Sequence, residues 1–109
     1  MLIYNITTHI ESQIESEWVE WMRQTYIPLM FATGKFRAAT FTKVVQEATI
    51  EGKSYSVQYT TPNKATLESF LAEDARRLEL EAQNKFGNQA LSFATELELI
   101  GQAQIKEAK

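Results

Sequence analysis

Few residues of this chain combine the types and the spacing that catalysis requires. It has no cysteine and a single histidine, His9. A histidine that acts as a general base needs a side chain that orients it, and the sequence indicates no such partner. The pairs Glu17/Glu20 and Glu79/Glu81 are predicted on outer helix faces, where charges are solvated. No phosphate-binding glycine loop or nucleophile elbow occurs. The sequence therefore predicts no catalytic residue, no metal site and no cofactor.

A set of small polar, amide and aromatic side chains is the best candidate for a ligand site. Four of them are predicted on neighbouring strands, on the second face of a sheet, with tyrosines at the rim. A tryptophan is expected in a helix–sheet crevice or a dimer seam. Ordinary hydrogen bonding within an interface is the other interpretation. The predicted ligand-binding residues are Asn5, Ser56, Gln58, Ser92, Tyr55, Tyr59 and Trp21, with Tyr4 as a further rim residue.

Two kinds of hydrophobic periodicity define the elements that must position these residues. Alternation with a period of two predicts strands, and apolar residues at three- and four-residue steps predict helices. The predicted order is strand 2–8, helix 12–34, strands 36–47 and 53–61, helix 63–87 and strand 90–100. This is the βαββαβ order of a ferredoxin-like α+β fold, with a four-stranded antiparallel sheet and two helices on one face.

Local signals support the predicted helix ends. Ser12 and Glu15 have the spacing of a capping box, and Asn63 is a favourable N-cap. Pro28 lacks an N–H and is expected to kink or end the first helical segment. The predicted buried stripes are Ile14, Trp18, Met22, Tyr26, Leu29 and Met30 in the first helix and Leu67, Leu71, Ala75, Leu78, Ala82 and Phe86 in the second.

Apolar residues on both sides of the predicted strands indicate that the second sheet face is also covered. Leu2, Tyr4 and Ile6 alternate with Ile3, and Phe41 is expected on the side away from the helices. Two such sheets packed face to face would cover each other, so we expect a homodimer of the dimeric α+β barrel type.

Six short motifs resemble a bacterial family described as domain of unknown function 4286, over residues 1 to about 100. Its fold is similar to the dimeric α+β barrels, which include cofactor-free monooxygenases, chlorite dismutases and haem-degrading enzymes. The haem-degrading relatives use an asparagine on the first strand, which Asn5 matches, and a histidine that helix two lacks. The motifs are Trp18-Val19-Glu20-Trp21-Met22, Ile27-Pro28, Ala32-Thr33-Gly34, Tyr55-Ser56-Val57-Gln58-Tyr59, Lys85-Phe86-Gly87 and Leu97-Glu98-Leu99.

Three positions depart from that family. Members often carry histidine where this chain has Tyr26 and Ala82, and arginine where it has Ala94. The resemblance therefore implies that this chain lacks any activity which those side chains serve elsewhere.

Composition narrows the classes of partner. The 109 residues carry a net charge of −3, so a basic face for nucleic acid or an anionic membrane is not expected. We expect one domain over residues 1–100, a polar tail over 101–109 and a cytoplasmic location.

Three functions stay open: a homodimeric interaction or binding module without catalysis, a cofactor-free oxygenase-like enzyme with a small-molecule pocket on the second sheet face, and a subunit that docks on another protein around Trp21, Tyr26 and Phe31.

Overall fold

The computed structural model describes residues 1–104 and contains one four-stranded antiparallel sheet with helices on one face. The predicted ferredoxin-like α+β fold is therefore confirmed. The strand order is β2-β3-β1-β4, so the two central strands are β3 and β1. The elements are β1 (Leu2–Ile10), α1 (Glu15–Trp21), α2 (Ile27–Ala32), β2 (Ala38–Lys43), β3 (Lys53–Thr61), α3 (Lys64–Glu73), α4 (Ala75–Phe86) and β4 (Ala90–Glu98).

The first helical layer is continuous but changes type along its length. A 3₁₀ turn (Ser12–Ile14) precedes α1, and a π-helical segment (Met22–Tyr26) joins α1 to α2. The Ile27 N–H donates to the Met22 carbonyl, five residues back. The wider π turn ends two residues before Pro28, the residue that cannot supply a helical N–H. Pro28 lies in the first turn of α2 and the helix continues to Ala32, so the prediction that Pro28 ends the first segment is wrong, and the helix type changes before it instead.

The predicted capping box is wrong. No side chain caps the 3₁₀ turn or α1. The Glu15 carboxylate instead accepts a hydrogen bond from the Tyr55 hydroxyl and pairs with Lys43 at 2.8 Å. The carboxylate therefore binds Lys43 and Tyr55, which are distant in sequence, and not the backbone N–H of Ser12 that the spacing indicated.

The second predicted helix is two helices, α3 and α4, separated at Asp74. Its φ of −120° is not helical, and its carboxylate accepts from the Lys35 ammonium at 2.8 Å. The interruption also changes the buried stripe, because Phe70 is buried whereas the predicted Leu71 is exposed. Gly34 and Gly87, with φ of 76° and 57°, follow the helices where predicted.

One face of the sheet, here called the helix face, packs against the helices through aromatic side chains. The Tyr4 ring lies 5.5 Å from the Phe70 ring, and Trp18 lies 5.1 Å from Tyr55 and 5.8 Å from Phe41. Phe41 is therefore on the helix face, not on the opposite side as expected. The alternation of side chains places it there, because Phe41 pairs with Val57 of β3.

The predicted second strand was too long at both ends. β2 runs from Ala38 to Lys43, and Phe36 lies before it in the core, 4.8 Å from Phe70. Val44 and Val45 follow the strand and are exposed. Within residues 1–104, no helix is both long and apolar enough to cross a membrane. The predicted tail 101–109 lies outside the described residues from position 105 onward.

The cap of α3 gives a first prediction. The Asn63 side chain accepts from the Thr66 N–H at 2.8 Å, which satisfies a backbone donor at the start of the helix. We expect Asn63→Ala to lower the free energy of unfolding by about 1 kcal/mol in urea denaturation. Asn84→Ala, at an exposed position inside α4, is the matched control and should leave the stability within about 0.5 kcal/mol of wild type. Equal stabilities of the two variants would contradict the capping role.

Candidate functional site

A cavity of about 380 Å³ lies between the helix face of the sheet and the helical layer. This volume is in the range of small-molecule sites, about 300–1,000 Å³. Strands β1, β3 and β4 form its floor, and the α1 end, the π-helical segment and α4 form its roof. Its lining residues are Tyr4, Ile6, Thr8, Trp18, Trp21, Met22, Tyr26, Val57, Tyr59, Glu79, Ala82, Gln83, Phe86, Ala90, Leu91, Ser92, Phe93 and Ala94.

Three tyrosines, Tyr4, Tyr26 and Tyr59, are among the polar residues that line this helix–sheet cavity. Burial is the main cause that raises the pKa of Tyr4, Tyr26 and Tyr59. Glu79 raises the pKa of both Tyr4 and Tyr26 further, because its negative charge disfavours a nearby phenolate. The three hydroxyls therefore remain protonated and available as hydrogen-bond donors at neutral pH.

The Tyr59 hydroxyl has no hydrogen-bond partner among the described residues, although Tyr59 is 0% exposed. A buried hydroxyl without a partner costs about 1–3 kcal/mol, because the hydrogen bond it made to water is not replaced. A ligand oxygen that accepted from Tyr59 would recover part of that cost. On the floor nearby, the Thr8 and Ser92 hydroxyls lie 2.6 Å apart and satisfy each other.

The residues that line the cavity carry negative but no positive charge. Glu79 is the only carboxylate among them, and none of them is lysine or arginine. An anion placed here would lose its hydration without gaining a cationic partner. The cavity therefore favours a neutral molecule.

A larger depression of about 780 Å³ lies outside the helical layer, along Glu15, Glu20, Arg23 and Lys43. It is an open surface groove with charged side chains at its sides. Its size does not make it the better candidate, because it excludes little water from a small molecule.

The predicted ligand-binding residues divide between the two faces of the sheet. Asn5, Ser56 and Gln58 do lie together on the second face, where the Ser56 hydroxyl donates to the Asn5 side-chain oxygen at 2.6 Å. Ser92 does not join them, because it pairs with Thr8 and shares that residue's helix face. A strand's side chains alternate, and Ser92 is in the opposite phase. The expected second-face cluster therefore holds three of its four members.

The aromatic members of the predicted set lie on the helix side. Tyr59 lines the helix–sheet cavity, and Tyr55 packs on Trp18 at its far end. Neither forms a rim around the second face. Trp21 is half-buried in the helix–sheet crevice, 5.1 Å from Tyr26 and 5.3 Å from Phe86.

His9 is near the end of β1 and not in a turn, with its Nδ1 2.9 Å from the Ser54 hydroxyl. It is exposed and lies outside the lining of the helix–sheet cavity. Within residues 1–104, no group of three or more histidine and carboxylate side chains is arranged to hold a metal ion.

Sequence reasoning did not include four of the cavity-lining residues in the predicted ligand site: Tyr26, Ala82, Ala94 and Gln83. The sequence pattern places them in helices or a strand, and only the fold brings them together around one cavity. The three positions that depart from the family resemblance, Tyr26, Ala82 and Ala94, all line this cavity. That resemblance was the one signal in the sequence that pointed to it.

The second face of the sheet, which the helices leave uncovered, carries no lysine, arginine or carboxylate among residues 1–104. This open face consists of the alternate residues of each strand. Three of its apolar side chains lie on β4 and are exposed: Leu91 (61%), Phe93 (64%) and Leu97 (39%). The open-face residues are Ile3, Asn5, Thr7, His9, Ala38, Thr40, Thr42, Ser54, Ser56, Gln58, Thr60, Leu91, Phe93, Thr95 and Leu97.

The fold and the cavity define a small ferredoxin-like α+β protein, and the sequence identifies its family. Residues 1–100 match the family described as Domain of unknown function (DUF4286), and the chain belongs to that family. A search of the curated proteins finds no match to the sequence.

Solved structures share the fold at low sequence identity. The protein At3g17210 from Arabidopsis thaliana has a TM-score of 0.69 and 12% identity, over 95% of this chain and 100% of that one. A dimeric ferredoxin-like protein from an uncultured marine organism has a TM-score of 0.68 and 7% identity, over 96% and 100%. A protein from Deinococcus radiodurans described as a candidate antibiotic biosynthesis monooxygenase has a TM-score of 0.57 and 15% identity, over 98% and 100%. At these identities the similarity shows the fold alone.

The Tyr55 hydroxyl gives a second prediction, because it donates to Glu15 at 2.5 Å. Hydrogen bonds from Lys43 first and Tyr55 second hold the pKa of the Glu15 carboxyl below its ordinary value. Such a group stabilises the fold above its unfolded-state pKa, and this contribution is lost as the pH falls through the folded-state pKa. We expect Tyr55→Phe to raise the Glu15 pKa and to cost about 1 kcal/mol at pH 7. The cost should shrink in acid.

Carboxyl NMR titration and urea unfolding at pH 7 and pH 3 measure these two effects. Glu15→Gln is the control, since Tyr55→Phe in that background should show a smaller change with pH. A Tyr55→Phe cost that is the same at both pH values would argue against the ionic hydrogen bond.

Proposed function

We propose that this protein is a homodimeric binding module that holds a small, neutral, flat aromatic ligand in the helix–sheet cavity. The observation that carries the proposal is the cavity itself, with the buried, unpaired Tyr59 hydroxyl at its wall. The aromatic side chains of Trp18, Trp21 and Phe86 line it and offer ring faces and edges to a ligand. No residue at the wall is placed as an oriented general base, so binding without catalysis is the simplest function.

The homodimer is supported by the open face. Exposed apolar side chains on β4 mark a surface that association would bury. Since the described strands place no lysine, arginine or carboxylate on that face, two copies of a chain with net charge −3 can meet there without bringing carboxylates opposite each other. The marine-organism protein of similar fold, described as dimeric, agrees with this proposal. The dimeric α+β barrel arrangement and a cytoplasmic location remain predictions.

An oxygenase-like enzyme is the second candidate, and the Gln83 amide at the cavity wall favours it. An amide beside an electron-rich ligand is the group that such chemistry would use to orient oxygen. The reaction would then take place on the helix side of the sheet and not at Gln58, which faces away from the cavity.

Docking on a different protein has less support. Of the expected patch, Tyr26 is buried and Trp21 half-buried, and only Phe31 is exposed, at 38%. These residues do not form a continuous apolar surface.

The ligand site predicts a loss of binding when the cavity is filled. Ala82 lies on α4 at the cavity wall, and Ala82→Trp would put an indole into the space. We expect this variant to bind Prodan, a neutral fluorescent naphthalene ketone, at least about tenfold more weakly than wild type, a loss of about 1.4 kcal/mol. Ala72→Trp, at an exposed position of α3, is the matched control and should bind like wild type.

The ketone of Prodan tests the role of Tyr59. Tyr59→Phe should weaken Prodan binding by about 1 kcal/mol while leaving the ligand-free protein at least as stable as wild type, because it removes an unpaired buried hydroxyl. Prodan binding that is unchanged in Ala82→Trp would show that the probe binds elsewhere and would remove the support for this cavity.

The open face predicts a charge-sensitive dimer. We expect Phe93→Glu to dissociate it in sedimentation equilibrium, because the substitution would bury like charges near the interface. Phe31→Glu, an exposed phenylalanine on α2, is the matched control and should remain dimeric. A wild-type protein that is monomeric at high micromolar concentration would overturn the homodimer.

A further inference from the structure

Strand β4 belongs to the cavity and to the open face at once. Residues 90–94 form a continuous part of the cavity wall. Within this segment Ala90, Ser92 and Ala94 share the helix face, and Leu91 and Phe93 project to the open side. One strand, a single backbone thick, therefore separates the cavity from the proposed dimer surface.

β4 is also the most exposed strand of the sheet in a single copy. It lies at the edge of the sheet and pairs only with β1. Residues 91–98 are all exposed, so the helices cover this part of the strand only incompletely. The backbone hydrogen bonds beside its ends, Glu11 N–H to the Gln89 carbonyl and Leu99 N–H to the Met1 carbonyl, again join it to the β1 side. An edge strand held on one side only opens more readily than a central strand.

We propose that a second copy of the chain, packed on the open face, holds β4 in place and so completes the helix–sheet cavity. This inference rests on the proposed function, because it concerns that same site. The uncharged open face suits a second copy, and packing against Leu91 and Phe93 would fix the strand whose other face contacts the ligand.

Ligand binding and dimerisation are therefore linked. If the dimer binds the ligand more tightly than the monomer by some factor, the ligand must strengthen the dimer correspondingly, because the two equilibria form one thermodynamic cycle. The protein would then bind its ligand in a concentration-dependent way, with weak binding when it is dilute.

Leu97→Glu tests this link without altering the cavity wall. Leu97 lies on the open face of β4, but outside the segment that lines the cavity. We expect the variant to be monomeric, to keep the wild-type circular dichroism spectrum, and to bind Prodan about tenfold more weakly than dimeric wild type. In wild type, saturating Prodan should shift the dimer dissociation constant downward in sedimentation equilibrium. Phe31→Glu is the control for added charge and should change neither quantity.

The outcomes separate the inference from the proposed function. A folded, monomeric Leu97→Glu protein that binds Prodan as tightly as wild type would overturn the link and leave the cavity intact. If Leu97→Glu fails to fold, Thr95→Glu serves as the second monomeric variant, with the same two readouts, because Thr95 also lies on the open face of β4 outside the cavity lining. If wild type does not bind Prodan at all, the ligand proposal fails, and this inference fails with it.

Discussion

The packing of aromatic side chains between the helix face and the helices is the interaction on which the rest of the structure depends. The ring centroids of Tyr4 and Phe36 lie 5.5 Å and 4.8 Å from that of Phe70, and the Trp18 ring packs against Tyr55. Each large ring buries about 150–250 Å², and apolar burial contributes about 25 cal/mol per Å². A slip of one residue in β1 or β3 would turn Tyr4 or Tyr55 away from the helices. The aromatic layer therefore determines which alternate residues form the open face.

The cavity exists where that layer is incomplete. Small side chains, Ala82 on α4 with Ala90 and Ala94 on β4, line it at positions where larger ones would fill the space. The helical layer covers β1 and β3 but leaves most of β4 exposed. A cavity beside an uncovered edge strand follows from these two facts. Tyr59 lines this incomplete part of the layer, and its buried hydroxyl has no hydrogen-bond partner among the described residues.

Periodicity predicted the elements well because strands and helices differ in their repeat. The bounds of β3, the N-cap Asn63 and the glycines after the helices all agree with local signals. The side chains of a strand alternate between two faces, but when both alternate sets contain apolar residues the sequence does not say which set faces the helices. For that reason Phe41 and Ser92 were assigned to the wrong face. The Glu15 side chain was misread because its partners, Tyr55 and Lys43, are distant in sequence.

In β4, the choice of which alternate residues face the helices is the reverse of the usual one. Leu91, Phe93 and Leu97 follow a regular period of two, yet they face away from the helices. A strand of a monomer would place its apolar set toward the core and its polar set toward water. Here the set toward the cavity is small or polar, and the set toward the open face is large and apolar. This reversal is consistent with a strand whose hydrophobic partner is a second chain and whose inner face is left free for a ligand.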